Sequence, residues 1–110
     1  MLSLVAADYT PQAITAMRQN PIQTRQEALN NLCEAAGAKV VAMYGTITNG
    51  PGAVAIIDAD EISGPAIAGL IASSGAVQNV QTKRLFTMDE IAKFRARAKE
   101  LQGSYKAPGQ

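Results

Sequence analysis

The chain has 110 residues, a formal net charge of +1, one cysteine and no histidine. A single cysteine excludes an internal disulfide, and the lack of histidine excludes Ser-His-Asp relays and zinc sites that use imidazole. With 47% hydrophobic and 17% charged residues, the composition is that of a folded globular chain and not of a disordered one. The length is typical of one domain, which we place at residues 1–102, followed by a C-terminal tail or arm at residues 103–110.

The first elements are a strand and a helical segment. Residues 2–8 are mostly apolar and predict a strand, and Thr10-Pro11 then predicts the start of a helix. Asn20-Pro21 interrupts the helical spacing, which gives either one broken helix or two short ones. Gly37 is suited to a left-handed helix cap, so the helical segment should end there. Cys33 falls in the apolar pattern and is interpreted as a core residue, with a reactive thiol as the alternative.

The middle of the chain predicts a hairpin. Residues 39–48 and residues 53–58 have strand composition, and the turn cluster Asn49-Gly50-Pro51-Gly52 separates them. Simple alternation places Val41 with Met43 on one face of the first strand, and Val40 with Tyr44 on the other.

The remaining elements are a helix, a strand and a second helix. Asp60 or Ser63 can cap a helix that runs to Ser74, and residues 77–86 predict the fourth strand. Thr87-Met88-Asp89-Glu90 is a capping box that begins the last helix. Its apolar stripe consists of Ile91, Phe94, Ala98 and Leu101.

The order of elements predicts an α+β fold of the ferredoxin-like type. The pattern is βαββαβ, a four-stranded antiparallel sheet with two helices on one face, plus an additional C-terminal helix. The other sheet face should carry apolar residues of strands 3 and 4 that need cover. We therefore expect a homodimer or a higher homo-oligomer.

Four segments in this order resemble the GYD-domain family, over roughly residues 2–92. They are Leu4–Thr10, Glu34–Val40, Met43–Thr46 and Gly75–Thr87. The resemblance implies a small bacterial domain of the dimeric α/β-barrel type. The Gly-Tyr-Asp triplet that names the family is absent, because the expected position, near the turn between strands 2 and 3, reads Thr48-Asn49-Gly50-Pro51-Gly52-Ala53. No role of that tyrosine or aspartate can therefore be assigned to this chain.

Candidate ligand-binding residues follow from the usual site of such folds, an apolar cavity between the sheet and its helices. The candidates are Tyr9, Tyr44, Thr46, Thr48, Asp58 and Arg84. As alternatives, Tyr44 packs at the dimer interface, the threonines are ordinary strand residues, and Asp58 and Asp60 end a strand and cap a helix. We assign no catalytic residue, no metal site and no cofactor.

Two functions remain open on the sequence. The first is a non-catalytic homodimer that binds a small apolar or amphipathic ligand or serves an assembly, including a structural or regulatory subunit whose C-terminal arm reaches a neighbour. The alternative is a cofactor-independent monooxygenase or isomerase of small organic compounds, with Tyr44, Asp58 or Arg84 in proton transfer. Scattered charges argue against nucleic acid, and the absence of a long apolar run or a basic leader indicates a cytoplasmic protein without membrane attachment.

Overall fold

The computed structural model describes residues 1–19 and 23–109. The elements are β1 (Leu2–Tyr9), α1 (Pro11–Met17), α2 (Gln23–Ala35), β2 (Lys39–Ile47), β3 (Pro51–Asp58), α3 (Ser63–Ala72), β4 (Val77–Leu85) and α4 (Met88–Glu100). The strands form one antiparallel sheet in the order β2-β3-β1-β4. This is the predicted ferredoxin-like arrangement with a further helix after β4.

Local hydrogen bonds fix the helix ends near the predicted positions. The Thr10 hydroxyl accepts from the amide of Ala13 at 3.3 Å, and the proline at the first position of α1 needs no partner for a missing N–H. At the end of α2, the Ala38 amide donates to the Cys33 carbonyl at 2.7 Å. Gly37 there has a φ of +70°, which completes a Schellman cap. The predicted break at Asn20-Pro21 lies outside the described residues, and separate helices lie on either side.

Side chains cap the later helices in the same way. Asp60 accepts from the amides of Ile62 at 2.9 Å and Ser63 at 2.7 Å. These bonds hold the pKa of the Asp60 carboxyl below its usual value, because they favour its charged form. The capping box of α4 is complete, since the Thr87 hydroxyl accepts from the amide of Glu90 and the Glu90 carboxylate accepts from the amide of Thr87. The start of α4 predicted from its capping box is therefore confirmed. Asp60 binds the amides of the turn that leads into α3, whose N-cap position is Ile62.

A bulge in β2 corrects the predicted assignment of its faces. Val40 lies opposite Ile57, whereas Ala42 lies opposite Ile56, so one extra residue is accommodated at Val41. Val40 consequently packs with Met43 against the core, and not on the face of Tyr44. The predicted alternation of side-chain faces along β2 was wrong here, because it assumes a strand pairing without a bulge.

The core is small and lies between the sheet and helices α2 and α3. Its buried apolar residues are Val5, Cys33, Ala55, Ile57, Ala59 and Ile67. Cys33 is 1% exposed, and its burial raises the pKa of the thiol, which favours the unreactive neutral form. The interpretation of Cys33 as a core residue is confirmed.

The opposite side of the sheet carries large apolar side chains, and the core-forming helices α2 and α3 lie on the other side. Since Val5, Ala55 and Ile57 point to the helices, their strand neighbours point away. We call this surface the open sheet face, and it consists of Leu2, Leu4, Ala6, Ala42, Tyr44, Val54, Ile56 and Leu85. Strand β3 contributes as expected, but β4 gives only Leu85 beside polar Gln81 and Lys83. Strand β1 supplies the apolar area that was expected from β4.

Helix α4 leaves much of its apolar stripe in solvent. Phe94 is 48% and Leu101 49% exposed, although the Phe94 ring makes an edge contact with Phe86 at a centroid distance of 4.8 Å. The radius of gyration is 17.8 Å, whereas a compact domain of this length has one of about 13 Å. The chain exposes 8016 Å², against about 5,800 Å² for a compact monomer of the same mass. The single chain therefore leaves far more surface uncovered than a compact monomer does.

Candidate functional site

A cavity of about 250 Å³ lies between the sheet and helices α2 and α3. Its sheet wall comes from β1, β2, β3 and the start of β4, and its roof from the two helices. The lining residues are Val5, Ala7, Tyr9, Arg25, Ala28, Leu29, Leu32, Met43, Ala53, Ala55, Ile57, Leu70, Ile71, Ser74, Ala76 and Val77. Most of these side chains are apolar, so the cavity favours an apolar occupant.

Alanines on the sheet create this space. Ala7, Ala53 and Ala55 occupy strand positions that point to the helices, with Ala7 directly opposite Ala53 and Val5 opposite Ala55. Strand positions of this kind usually carry larger β-branched or aromatic side chains. Leu29 and Leu32 of α2 and Ile71 of α3 also line this space, and the small alanines of the sheet leave it unfilled.

The polar groups of the cavity are Tyr9, Arg25 and Ser74. The Ser74 hydroxyl is satisfied, since it donates to the Ile71 carbonyl at 2.7 Å and accepts from the Ala76 amide at 3.2 Å. Within the described part of the chain, neither the Tyr9 hydroxyl nor the Arg25 guanidinium makes a hydrogen bond or a salt bridge. These two side chains are therefore the ones available to a ligand.

The electrostatics of Tyr9 favour the neutral phenol. Burial raises the pKa of Tyr9, and the positive charge of Arg25 opposes that shift only in part. The hydroxyl is therefore protonated at neutral pH and acts as a hydrogen-bond donor. A second space of about 370 Å³, between β1 and helices α1 and α2, shares Tyr9, Arg25 and Ala76 with the first. Tyr9 and Arg25 thus lie at the boundary between the two.

Of the residues predicted from the sequence, Tyr9 lines the cavity. Tyr44 is 65% exposed on the open sheet face, and Thr46 shares that face as expected. Thr48 lies beyond β2, in the turn, where its amide donates to the Gly50 carbonyl at 3.2 Å. The predicted set is therefore dispersed.

The two charged candidates have partners away from the cavity. The Asp58 carboxylate lies 2.7 Å from the N-terminal ammonium of Met1. That ammonium lowers the pKa of Asp58 by hydrogen bonding and by charge. The Arg84 guanidinium donates to the carbonyls of Leu2, at 3.1 Å, and of Leu85, and lies 4.4 Å over the Phe86 ring.

Arg25 was not among the candidate residues predicted from the sequence. A signal was present, because Arg25 continues the helical spacing of Leu29 and Leu32 and therefore lies on the inner face of α2. A charged residue on an inward face is unusual, and the structure shows that it borders a cavity.

Two kinds of feature are not found in residues 1–19 and 23–109. No three cysteine, aspartate or glutamate side chains there come together as a metal site. In the same residues, no helix has both the length and the apolar character needed to cross a membrane.

Comparison with known proteins relates the chain to a family and a fold. The sequence model of the GYD domain matches residues 4–94. Among solved structures, the chain is similar to 5-chloro-2-hydroxyhydroquinone dehydrochlorinase from Burkholderia phenoliruptrix, in complex with 2,5-dihydroxybenzoquinone. The TM-score is 0.56 at 14% identity, covering 82% of this chain and 98% of the other. No match is found among curated protein sequences. The structural likeness supports the fold.

Proposed function

The chain belongs to the GYD-domain family, and we propose that it is a homodimeric domain that binds a small apolar or amphipathic molecule without catalysing a reaction on it. The observation that carries this proposal is the cavity of about 250 Å³, with apolar walls and with Tyr9 and Arg25, whose polar groups have no hydrogen-bond partner among the described residues. Residues 1–102 would form the domain, residues 103–110 its tail, and the location would be cytoplasmic.

The size of the cavity limits the ligand to a small body. Its volume of about 250 Å³ is close to the lower end of the roughly 300–1,000 Å³ of typical ligand pockets. A space of this size suits a compact body of one or two aromatic rings. The dehydrochlorinase of similar fold was solved with 2,5-dihydroxybenzoquinone, a single-ring compound of this class.

The polar groups of the cavity support binding more than catalysis. A general base must accept a proton near neutral pH, and Tyr9 is held as the neutral phenol. No carboxylate lines the cavity among the described residues. The alternative, a cofactor-independent monooxygenase or isomerase, would have to use Tyr9 and Arg25 instead of Tyr44, Asp58 or Arg84.

A second copy of the chain is the proposed cover of the open sheet face. Leu4, Val54 and Ile56 lie together there, on the side of the sheet opposite to the core and helices α2 and α3. The chain exposes 8016 Å², which is about 2,200 Å² more than a compact monomer of its mass exposes. Two chains together would bury an area within the roughly 2,000–5,000 Å² of obligate homodimers. The exposed apolar stripe of α4 would also become buried in the same assembly.

A cavity-filling variant tests the binding site. Ala55 is 6% exposed and lines the cavity, so Ala55→Leu places three additional carbon atoms in it. We expect the affinity for 2-naphthamide, a neutral two-ring probe, to fall at least about tenfold by isothermal titration calorimetry. Ala66→Leu, on the exposed side of α3, is the matched control and should bind as the wild type does.

Native mass spectrometry of freshly purified protein complements this test. A dimer that carries a retained small molecule would support both parts of the proposal. If Ala55→Leu folds, as judged by circular dichroism, and still binds the probe with wild-type affinity, the cavity is not the site. If a compound added to the protein is recovered chemically changed, the catalytic alternative is favoured.

A further inference from the structure

We infer that the ligand of this cavity is an organic anion, with a carboxylate or phenolate head on an apolar ring body, held at Arg25 and Tyr9. This inference rests on the proposed function and adds the charge and the orientation of the ligand.

The charge of the cavity is positive and uncompensated. Arg25 is the charged residue in its lining, and no aspartate or glutamate lines it within residues 1–19 and 23–109. The described acidic side chains also form no salt bridge with Arg25. Arg25 is half-buried at the cavity, where charges attract more strongly than in open solvent, and its guanidinium has no anionic partner among the described residues. An anionic ligand would supply that partner.

Arg25 differs in this respect from Arg84 and Arg97. It differs from Arg18 and Arg95, which are exposed, in being half-buried at a cavity. Arg97 pairs with Glu100 at 2.7 Å, and Arg84 donates to backbone carbonyls and stacks on Phe86. Arg25 is in the first turn of α2, a turn with no acidic residue, so the positive end of the helix dipole adds to its charge. The planar guanidinium can bind a carboxylate through two parallel hydrogen bonds.

Tyr9 adds a neutral donor beside this charge. Tyr9 lines the same cavity, and its hydroxyl has no hydrogen-bond partner in the described part of the chain. A phenol O–H donates readily to a carboxylate or phenolate oxygen. Together the two side chains offer donors to an anionic head, while nothing in the lining offers a comparable acceptor for a cationic one.

The cavity residues along β1 indicate how the ligand is oriented. Val5, Ala7 and Tyr9 line the cavity in succession along this strand, and four residues of strand span about 13 Å. The charged groups lie at the Tyr9 end, whereas Val5, Ala55 and Ile57 form the other end. A flat molecule with one anionic terminus fits this gradient, with its ring between the alanines and the helices.

A matched pair of probes tests the inference. 2-Naphthoate and 2-naphthamide have the same rings and nearly the same shape, and only the first is an anion at neutral pH. Isothermal titration calorimetry should give a dissociation constant about tenfold or more lower for naphthoate. Arg25→Gln should remove this preference by weakening naphthoate at least about tenfold while leaving naphthamide within about twofold.

Two further variants complete the experiment. Tyr9→Phe should weaken naphthoate by a smaller factor, since one neutral donor is lost. Arg95→Gln, on the exposed surface of α4, removes a charge of the same kind away from the cavity and should change neither affinity.

The outcomes separate the inference from the proposed function. Equal affinity for the two probes, or naphthoate binding that survives Arg25→Gln unchanged, would overturn the anionic ligand while the cavity remains a binding site. Failure of both probes to bind wild-type protein would overturn the proposed function and this inference together. An effect of Arg95→Gln equal to that of Arg25→Gln would show general charge attraction and also refute the inference.

Discussion

Replacing Ile56 by aspartate should separate the proposed dimer into monomers. Ile56 lies on the open sheet face between its partners Leu4 of β1 and Ala42 of β2. The substitution removes an apolar side chain from the interface and places a carboxylate there without a partner. Because a two-fold symmetric dimer contains the position twice, the penalty counts twice.

The expected magnitude follows from this geometry. Loss of one buried isoleucine costs about 1.5–3 kcal/mol, so the dimer loses about 3–6 kcal/mol before any charge is considered. That corresponds to a rise of about 10²–10⁴-fold in the dissociation constant. Sedimentation velocity at micromolar concentration should show a dimer for the wild type and a monomer for Ile56→Asp.

The matched control is Ile62→Asp. Ile62 precedes α3 on the helix side of the molecule and is 75% exposed, so the same chemical change should leave the dimer intact. The thermal midpoint of the wild type should also rise with protein concentration, because dissociation accompanies unfolding in an obligate dimer. A wild-type monomer at micromolar concentration, or an Ile56→Asp dimer of unchanged affinity, would refute the proposed interface.

Two further predictions concern stability. Ile57→Ala removes a core side chain that is 2% exposed and should lower the free energy of unfolding by about 2–5 kcal/mol in urea titrations; Ile62→Ala should change it by less than about 0.5 kcal/mol. The lowered pKa of Asp60 means that its cap stabilises the fold above the usual carboxyl pKa and is lost as the pH falls through the folded value. Asp60→Asn retains a capping side chain that does not titrate, so its thermal midpoint should fall less steeply with acidification than that of the wild type. Parallel curves for the two proteins would show that Asp60 does not control this part of the pH dependence.

The elements were predictable where their signals are local. The capping box of Thr87 and Glu90 closes within three residues, and the left-handed Gly37 lies immediately after the helix that it ends. Such hydrogen bonds depend on residues adjacent in the sequence, which is why the pattern was sufficient. The bulge at Val41 depends instead on how β2 is aligned with β3, and alternation within β2 contains no information about that alignment.

The candidate site was predictable only in part, because the side chains of β3 that face the helices at positions 53 and 55 are smaller than is usual for a core. On β3 the larger residues Val54 and Ile56 lie on the open sheet face, whereas the alanines at 53 and 55 face the helices. The larger size of Val54 and Ile56 would therefore predict, wrongly, that their side of β3 faces the helices. Tyr9 was among the predicted residues because it ends a strand, whereas Arg25 lies on a helix and the predicted candidates all lie on or next to strands.

The central position of β1 has a consequence for folding speed. Its pairings join Leu2 to Asp58 and Leu2 to Leu85, residues far apart in the sequence, while the β2–β3 hairpin is the one sheet pairing between consecutive strands. The chain loses loop-closure entropy before such distant contacts contribute any favourable free energy. We therefore expect the hairpin and helices to form early and the closure of β1 between β3 and β4 to limit the rate, with the apolar strands exposed to misassociation until then.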